Sequence, residues 1–218
     1  MKPQTKDVTQ YLKSCDIIDF EHQTSCDIID FGHQTSCEIT ALAYEIKSCS
    51  KDEISYIKNA FEYVRDNISH SADIRGRVVT CKASEVLRAK EGICYAKSHL
   101  LAALLRCNQI PAGFCYQRLI LDDETAPHLI LHGLNAVYIK SLDKWIRLDA
   151  RGNKPGVDAQ FSTNDEKLAF LVRTHKGEED ILTIFSSPDE NVIKALTKNK
   201  KLEDLWRNLP TELRVSIP

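Results

Sequence analysis

The sequence predicts an α+β fold in which N-terminal helices and one central helix pack against an antiparallel β-sheet. In the first half of the chain apolar residues recur every three or four positions, which is the helical period. After Pro111 the period shortens to two, as in half-buried strands. The 218 residues contain no long linker rich in proline, glycine or serine, so we expect one domain spanning 1–218.

Helical periodicity defines the first elements. An apolar face formed by Ile39, Leu42 and Ile46 predicts the first helix, and a similar pattern with acidic residues in its first turn predicts the second. A third and a fourth helix follow, and they end at Gly92 and before Pro111, because these residues disfavour continued helix. The second, third and fourth helices are expected at about 51–67, 84–90 and 94–107.

The second half of the chain predicts β-strands and a helical C-terminus. Alternating apolar residues predict strands, and residues 152–156 read as a loop because of their glycines and proline. The strands are expected at 113–120, 133–139, 144–148 and 181–185. Helical spacing predicts further helices at 166–173, 191–196 and 202–208.

An internal duplication marks the N-terminal region. Residues 14–24 and 25–35 differ only at Glu21 and Gly32. Two such short copies are too few for a solenoid, so we interpret them as a tandem insertion into a domain that needs one copy. We expect one copy to pack natively and the other to extend a helix or form a loop. Near-identical copies also allow domain swapping, which leaves the oligomeric state open.

Composition excludes several classes of function. The formal charge of −2 gives no electrostatic reason to expect nucleic acid or an acidic membrane as a partner. No run of about 18 apolar residues predicts a transmembrane span, and the N-terminus lacks the apolar stretch of a signal peptide. We therefore expect a cytoplasmic protein whose eight cysteines are reduced thiols.

Cys94 lies where a reactive thiol is expected, between Gly92 and an apolar helix. A helix start offers unpaired amides and a partial positive charge, which favour the thiolate of a group that normally titrates near pH ~8.5. The Cys94 amide would also serve as an oxyanion donor. Gly92 is expected to let the backbone turn so that the thiol stays accessible. The alternative is a small buried cysteine of the core.

His132 and Asp149 lie on two neighbouring predicted strands. A four-residue turn pairs Ile139 with Lys144, so that Asp149 falls opposite Leu134 and diagonal to His132. A turn tighter by one pair would put Asp149 directly opposite His132. Either register offers an imidazole–carboxylate pair. The alternatives are a histidine of the core and an aspartate of the turn.

Two other histidines compete for the role of base. His128 lies four residues before His132 and shares its face if the strand reaches back that far. Pro127 and an acidic run favour a loop there, so we rank His128 second. His99 lies about 140° around the helix from Cys94, which makes it a poor partner.

The duplication also creates a string of metal-ligand residue types. Sulfur and imidazole are zinc ligands, but this spacing follows from copying a segment with one cysteine and one histidine, and the short pairs of common zinc sites are missing. No loop of the EF-hand kind is present either. We therefore predict no metal and no cofactor. The string consists of Cys15, His22, Cys26, His33 and Cys37.

Taken together, the motifs resemble the transglutaminase-like superfamily, a branch of the papain-like cysteine catalytic domains, in its bacterial stand-alone form. The resemblance covers a catalytic core at about 57–152. It is carried by the order of cysteine, histidine and aspartate and by the residues around them. These pieces are Gly92-Ile93-Cys94, Leu101–Arg106, Asn108–Ala112, His132 with Val137-Tyr138, and Trp145–Asp149.

The resemblance implies a cysteine enzyme that acts on amide bonds of proteins or peptides, as a protease, amidase or transglutaminase. Cys94 would be the nucleophile, His132 the general base and Asp149 its orienting group, with a thioester intermediate. No motif fixes the second oxyanion donor, and Gln117 and His70 are candidates for oxyanion or substrate contact. The alternative is a catalytically silent binding or scaffold member, which would normally lack part of the triad.

Overall fold

The computed structural model describes residues 1–20 and 34–214. Helices and strands occur in the predicted order, with helices first and the long strands after them. The helices are α1 (Gln34–Ser48), α2 (Glu53–Asn67), α3 (Ala83–Ala89), α4 (Cys94–Cys107), α5 (Glu190–Lys198) and α6 (Leu202–Arg207). The strands are β1 (Lys2–Pro3), β2 (Ser69–His70), β3 (Glu91–Gly92), β4 (Ala112–Asp122), β5 (Ala126–Ile139), β6 (Lys144–Leu148) and β7 (Glu179–Phe185).

The main sheet has the strand order β1-β7-β4-β5-β6. Its neighbouring strands run antiparallel, except that the two-residue β1 runs parallel to β7. A second small sheet pairs β2 with β3 in parallel, immediately before α4. The predicted α+β class, with helices and a central helix on an antiparallel sheet, is confirmed.

The central helix α4 packs against α1, α2, α3, β4 and β5. It is apolar on nearly all sides, and its leucines have no exposed surface, which is typical of a helix inside a core. Arg106 is the polar exception near its end. Its guanidinium donates to the carbonyls of Lys13 (2.7 Å), Ala112 (2.6 and 3.0 Å) and Ser186 (2.7 Å), and so ties three chain segments to α4.

The two faces of the sheet carry separate apolar clusters. Phe114 and Tyr116 face the large cluster shared with the helices, whereas Cys115 between them faces a smaller cluster that includes Tyr11. This alternation is the period of two that the sequence predicted for β4. The sheet is therefore covered on both faces, and its β5 carries the candidate histidine on the same face as Leu134 and Ala136 of the smaller cluster.

One sequence prediction for the C-terminal half is wrong. Residues 166–173, predicted as a helix, form an irregular segment with a bend at Ala169, and Gln160 N donates to Lys167 O (2.9 Å). The backbone amides there bond to distant groups instead of to the preceding turn. Ala169 N donates to Asp149 (3.1 Å) and Arg173 N to Glu178 (2.7 Å). Tertiary hydrogen bonds thus outweigh the weak helical spacing of this segment.

The first copy of the duplication packs against α3 as far as it is described. Ile18 has no exposed surface and Phe20 is buried. The Asp19 carboxylate accepts from Ser84 N (3.0 Å) and Ser84 Oγ (2.5 Å), which satisfies a free amide at the start of α3. The predicted fate of the other copy lies outside the described residues.

Candidate active site

Cys94 is the first residue of α4, and its side chain is half-buried. Ile93 caps the helix without a side-chain hydrogen bond, so the first amides of α4 are not taken by a cap. The role expected for Gly92 is corrected: it lies in the extended strand β3 and does not have a positive φ. A Cβ there would lie 3.1 Å from Ala96 and from Thr80, so Gly92 serves close packing around the helix start.

Gly133 lets the start of α4 approach β5. A Cβ at Gly133 would lie 2.6 Å from the Tyr95 ring, closer than side-chain atoms pack. The Tyr95 hydroxyl donates to the Leu131 carbonyl on the same strand. Tyr95 therefore spans β5 on both sides of His132 and brings the preceding residue, Cys94, to that histidine. The sequence signal, a glycine inside a strand, was available but was not interpreted in this way.

The β5–β6 hairpin has the register predicted with the four-residue turn. Ile139 pairs with Lys144 and Asn135 with Leu148, whereas the tighter alternative is wrong. β6 ends at Leu148, and Asp149 follows one position beyond Asn135, on the His132 side. The His132 Nε2 hydrogen bonds to Asp149 Oδ2 at 2.8 Å, with both groups buried. The other ring nitrogen is left for the Cys94 thiol, which lies near enough to raise the pKa of His132.

Asp149 is held by two backbone amides besides His132. Arg151 N donates to Oδ1 and Ala169 N donates to Oδ2, each over 3.1 Å. Burial alone would raise the pKa of Asp149, but the His132 charge, the hydrogen bond from its ring and the two amides outweigh burial, so the pKa is lowered. Asp149 is therefore an ionised carboxylate with a fixed orientation.

His132 is shifted in the opposite direction to an ordinary buried histidine. Burial would lower its pKa, yet the charge of Asp149 and the Cys94 thiol raise the pKa above its usual value of 6.5, to about 10. The Phe170 ring lies edge-on to the imidazole, with centroids 5.1 Å apart at 86°. An imidazolium between a carboxylate and a thiol is thus the favoured state at neutral pH.

His70 lies on β2, paired with Gly92 of β3 and therefore close to Cys94. Burial and the charge of Arg151 lower the pKa of His70 to about 3, so its ring is neutral at physiological pH. Its Nδ1 is buried and has no hydrogen-bond partner among the described residues. His70 lines the same cavity as Cys94 and His132.

Gln117, the other candidate for substrate contact, pairs with His132 across β4 and β5. Paired residues share a face, so its side chain lies on the His132 side of the sheet. Gln117 is buried, and its Oε1 has no hydrogen-bond partner within the described part of the chain. Unlike His70, it does not line the cavity at Cys94.

The competing histidines lie elsewhere. The strand β5 does reach back to His128, contrary to the loop expected there, but this side chain is exposed and does not line the cavity. His99 is buried, and its Nδ1 is 2.7 Å from the Cys81 carbonyl. Most of the cysteine–histidine string from the duplication lies outside the described residues, which contain no cluster suited to a metal ion.

A cavity of about 670 Å³ opens at Cys94 and His132. One wall is formed by β4 and β5, and the other by the irregular segment around Phe170 and by α6 with Leu209. The sequence prediction missed this second wall because it interpreted residues 166–173 as a helix. Within 1–20 and 34–214, no helix is long and apolar enough to cross a membrane.

Comparisons with known proteins match the part of the chain that carries Cys94 and His132. Residues 40–150 match the family model described as the transglutaminase-like superfamily, which confirms the resemblance seen in the motifs. A search of curated proteins gave no match. The matched region ends one residue after Asp149, so it includes Cys94 and His132 but not the second wall of the cavity.

Similar solved structures include three that share low identity with this chain. A candidate cysteine protease from Cytophaga hutchinsonii is 18% identical with a TM-score of 0.49, and the match covers 67% of this chain and 43% of that one. The periplasmic domain of TgpA from Pseudomonas aeruginosa, bound to ethylmercury, is 14% identical with a TM-score of 0.41 and coverages of 52% and 43%. A transglutaminase is 16% identical with a TM-score of 0.41 and coverages of 88% and 56%. This chain thus spans about half the length of these proteins.

Proposed function

This chain belongs to the transglutaminase-like superfamily, and from that premise we propose that it is a cysteine enzyme acting on amide bonds of proteins or peptides. Cys94 is the nucleophile, His132 the general acid and base, and Asp149 the residue that orients His132. The single observation that carries the proposal is that His132, hydrogen-bonded to Asp149 at 2.8 Å, lies beside Cys94 where both line an open cavity.

The electrostatics of the site support a thiolate–imidazolium pair. The raised pKa of His132 keeps the imidazole protonated at neutral pH, as a thiolate–imidazolium pair requires. The helix start adds a partial positive charge at Cys94. A structural core cysteine needs none of these features. Cys81 and Cys115 are examples of such buried cysteines, and burial raises the pKa of each thiol to about 12.

The reaction starts when the Cys94 sulfur attacks the amide carbonyl carbon. A C–S bond forms while the carbonyl electron pair moves to oxygen. His132 then donates its proton to the amide nitrogen, the C–N bond breaks, and the amine leaves a thioester on Cys94. Water or a second amine attacks the thioester carbon while His132 takes its proton. The C–S bond then breaks, which releases the carboxylic acid or the new amide and restores the Cys94 thiolate.

The oxyanion would be held by the Cys94 amide and by His70. The amide at the helix start has no intrahelical partner, because a first-turn N–H has no preceding carbonyl. The neutral His70 ring carries one N–H, lines the cavity and is fixed on β2 beside Gly92. We prefer His70 to Gln117 for this role because Gln117 does not line the cavity.

Turnover of a panel of peptide amides tests the proposal. Cys94→Ala and His132→Ala should each lower kcat/KM by at least about 10³-fold. Cys49→Ala, which removes an exposed thiol, should leave it unchanged. Intact-mass spectrometry should also detect a hydroxylamine-sensitive acyl adduct in wild type. Activity retained in either triad variant would contradict the proposal, and a panel without turnover or adduct would favour the scaffold alternative.

A further inference from the structure

An apolar strip runs away from the triad along the cavity wall. His132 pairs with Gln117, and two residues further along the hairpin Ile130 pairs with Leu119, so that both pairs lie on one face. Leu119, Leu121 and Ile130 line the cavity together with Cys94. A strand rises about 3.3 Å per residue, which places the strip within one to three residues of an extended peptide from the nucleophile.

The opposite wall of this strip comes from the C-terminal segment. Trp206 on α6 and Leu209 line the same cavity. Leu131 N donates to the Pro210 carbonyl over 2.7 Å, so the segment is fastened to β5 next to His132. Leu171 lies on the irregular segment 166–173, which was predicted as a helix. Its side chain lies at the rim of the cavity and is 89% exposed.

The charged groups of the cavity do not favour a charged ligand. Besides His132, three carboxylates and three Lys or Arg cations line it, and these three cations are already engaged. Arg151 and Lys154 both pair with Asp73. Arg173 pairs with Asp123 and with Glu178. A substrate group entering between these pairs gains most by burying apolar surface.

We infer that this strip is a subsite for a bulky apolar side chain of the substrate, aliphatic or aromatic, within about three residues of the scissile amide. The inference deepens the proposed function and rests on it. The groups that do the chemistry lie within the family-matched region 40–150. Leu119, Leu121 and Ile130 also lie within it, whereas Trp206, Leu209 and Leu171 lie beyond it, so the C-terminal half of the chain supplies the facing wall of the subsite.

Chloroacetamides that alkylate Cys94 test the subsite without requiring turnover. The Cys94 thiolate forms a C–S bond with the methylene carbon as chloride leaves. The series carries N-benzyl, N-(2-phenylethyl) or N-(4-phenylbutyl) groups, and N-(2-hydroxyethyl) chloroacetamide is the polar reference. The second-order rate at Cys94 is measured by peptide mass spectrometry. The best phenyl reagent should exceed the reference at least about tenfold, equivalent to about 1.4 kcal/mol.

Matched variants separate the subsite from general effects of mutation. Trp206→Ala should bring the phenyl preference to within about threefold of the reference, whereas Trp145→Ala, outside the cavity, should preserve it. Leu171→Ser should weaken the preference without loss of folding because this leucine is almost fully exposed. Leu182→Ser, at an exposed position on β7 away from the cavity, is its control.

The outcomes distinguish this inference from the proposed function. A phenyl preference that falls in Trp206→Ala and Leu171→Ser, and persists in both controls, supports the subsite. Fast iodoacetamide labelling of Cys94 with no phenyl preference, or with a preference that none of the variants changes, overturns the subsite alone. Slow iodoacetamide labelling that does not depend on His132 overturns the nucleophile and the subsite with it.

Discussion

The two walls of the active-site cavity differ in origin and in how the sequence encodes them. The wall with Cys94 and His132 is built by α4 and β5, from regular elements inside the family-matched region. The facing wall is built by the irregular segment with Phe170 and Leu171 and by the helix α6, both beyond that region. The first wall holds the reacting groups, whereas the second contacts His132 through Phe170 and shapes the space beside it.

The comparison shows that the triad depends on both walls. Asp149 receives one backbone amide from its own turn, at Arg151, and one from the far segment, at Ala169. In the proposed mechanism, the segment that contributes to the apolar subsite therefore also holds the carboxylate that orients His132. Changes at the two walls should accordingly separate effects on chemistry from effects on recognition.

The largest expected effect comes from the carboxylate that joins the two walls. Asp149→Asn keeps the size of the side chain but cannot accept all three hydrogen bonds, and its amide favours the wrong tautomer of His132. We expect kcat/KM on a peptide amide to fall by about 10³–10⁴-fold, as in other triads. Circular dichroism should verify that the variant folds. Activity within tenfold of wild type would mean that Asp149 does not orient the base.

A stability measurement at Lys97, on α4, tests the packing behind the wall that lies inside the family-matched region. It lies one turn after Cys94 with no exposed surface, and its Nζ donates to the carbonyls of Ile68 and Arg65 (3.3 Å). Burial, followed by the charge of Arg151, lowers its pKa from 10.5 to about 7. Between these pH values the unfolded chain holds a proton that the folded chain has lost, so the Lys97 contribution to stability increases as pH rises.

The measurement is the free energy of unfolding of wild type and Lys97→Met against pH. The free energy of unfolding of Lys97→Met minus that of wild type should be greatest near pH 6. This difference should shrink by on the order of 3 kcal/mol by pH 10, given about 1.4 kcal/mol per pKa unit. The raised pKa of His132 acts oppositely, since its contribution is present below pH 6.5 and lost towards about 10, but it is common to both proteins and cancels in the difference. Lys198→Met, an exposed change, should give a flat difference. A flat difference for Lys97→Met would contradict the account.

Phe170 tests the second wall at its contact with the triad. Phe170→Ala removes an edge-on aromatic contact to His132 and admits water beside it. The protonated form of His132 is then favoured less over the neutral form. Because such contacts contribute about 0.5–1.5 kcal/mol, we expect kcat/KM to fall about three- to tenfold. Phe161→Ala, a half-buried phenylalanine that does not line the cavity, is the matched control. Equal losses in both variants would refute a specific role for Phe170.

The smallest expected effect concerns the N-terminal duplication. Deleting residues 14–24 leaves the second copy, whose first seven residues repeat those of the packed copy, including the equivalents of Ile18, Asp19 and Phe20. We therefore expect the free energy of unfolding, measured in urea, to change by less than about 1 kcal/mol, which is the usual size for changes outside a core. Failure of the shortened protein to fold would show that the copies are not interchangeable.

The sequence was sufficient where one local rule dominates. Helical periodicity and Pro111 gave α4, alternation gave β4 to β6, and the pairing of Ile139 with Lys144 followed from turn length. It was insufficient where distant groups decide. The irregular conformation around Ala169 depends on a hydrogen bond to Asp149, twenty residues earlier, which no local pattern contains. The packing of Tyr95 over Gly133 is likewise a contact between elements rather than a property of either.

The central claim is that Cys94 is activated by His132. The most direct test is the rate of Cys94 alkylation by iodoacetamide against pH, read by peptide mass spectrometry in wild type and His132→Ala. The exposed Cys49 serves as a reference thiol in the same sample. We predict fast labelling of Cys94 between pH ~5 and ~7 in wild type only, far ahead of Cys49. Labelling of Cys94 that follows a free-thiol midpoint near pH ~8.5, unchanged in His132→Ala, would contradict the account.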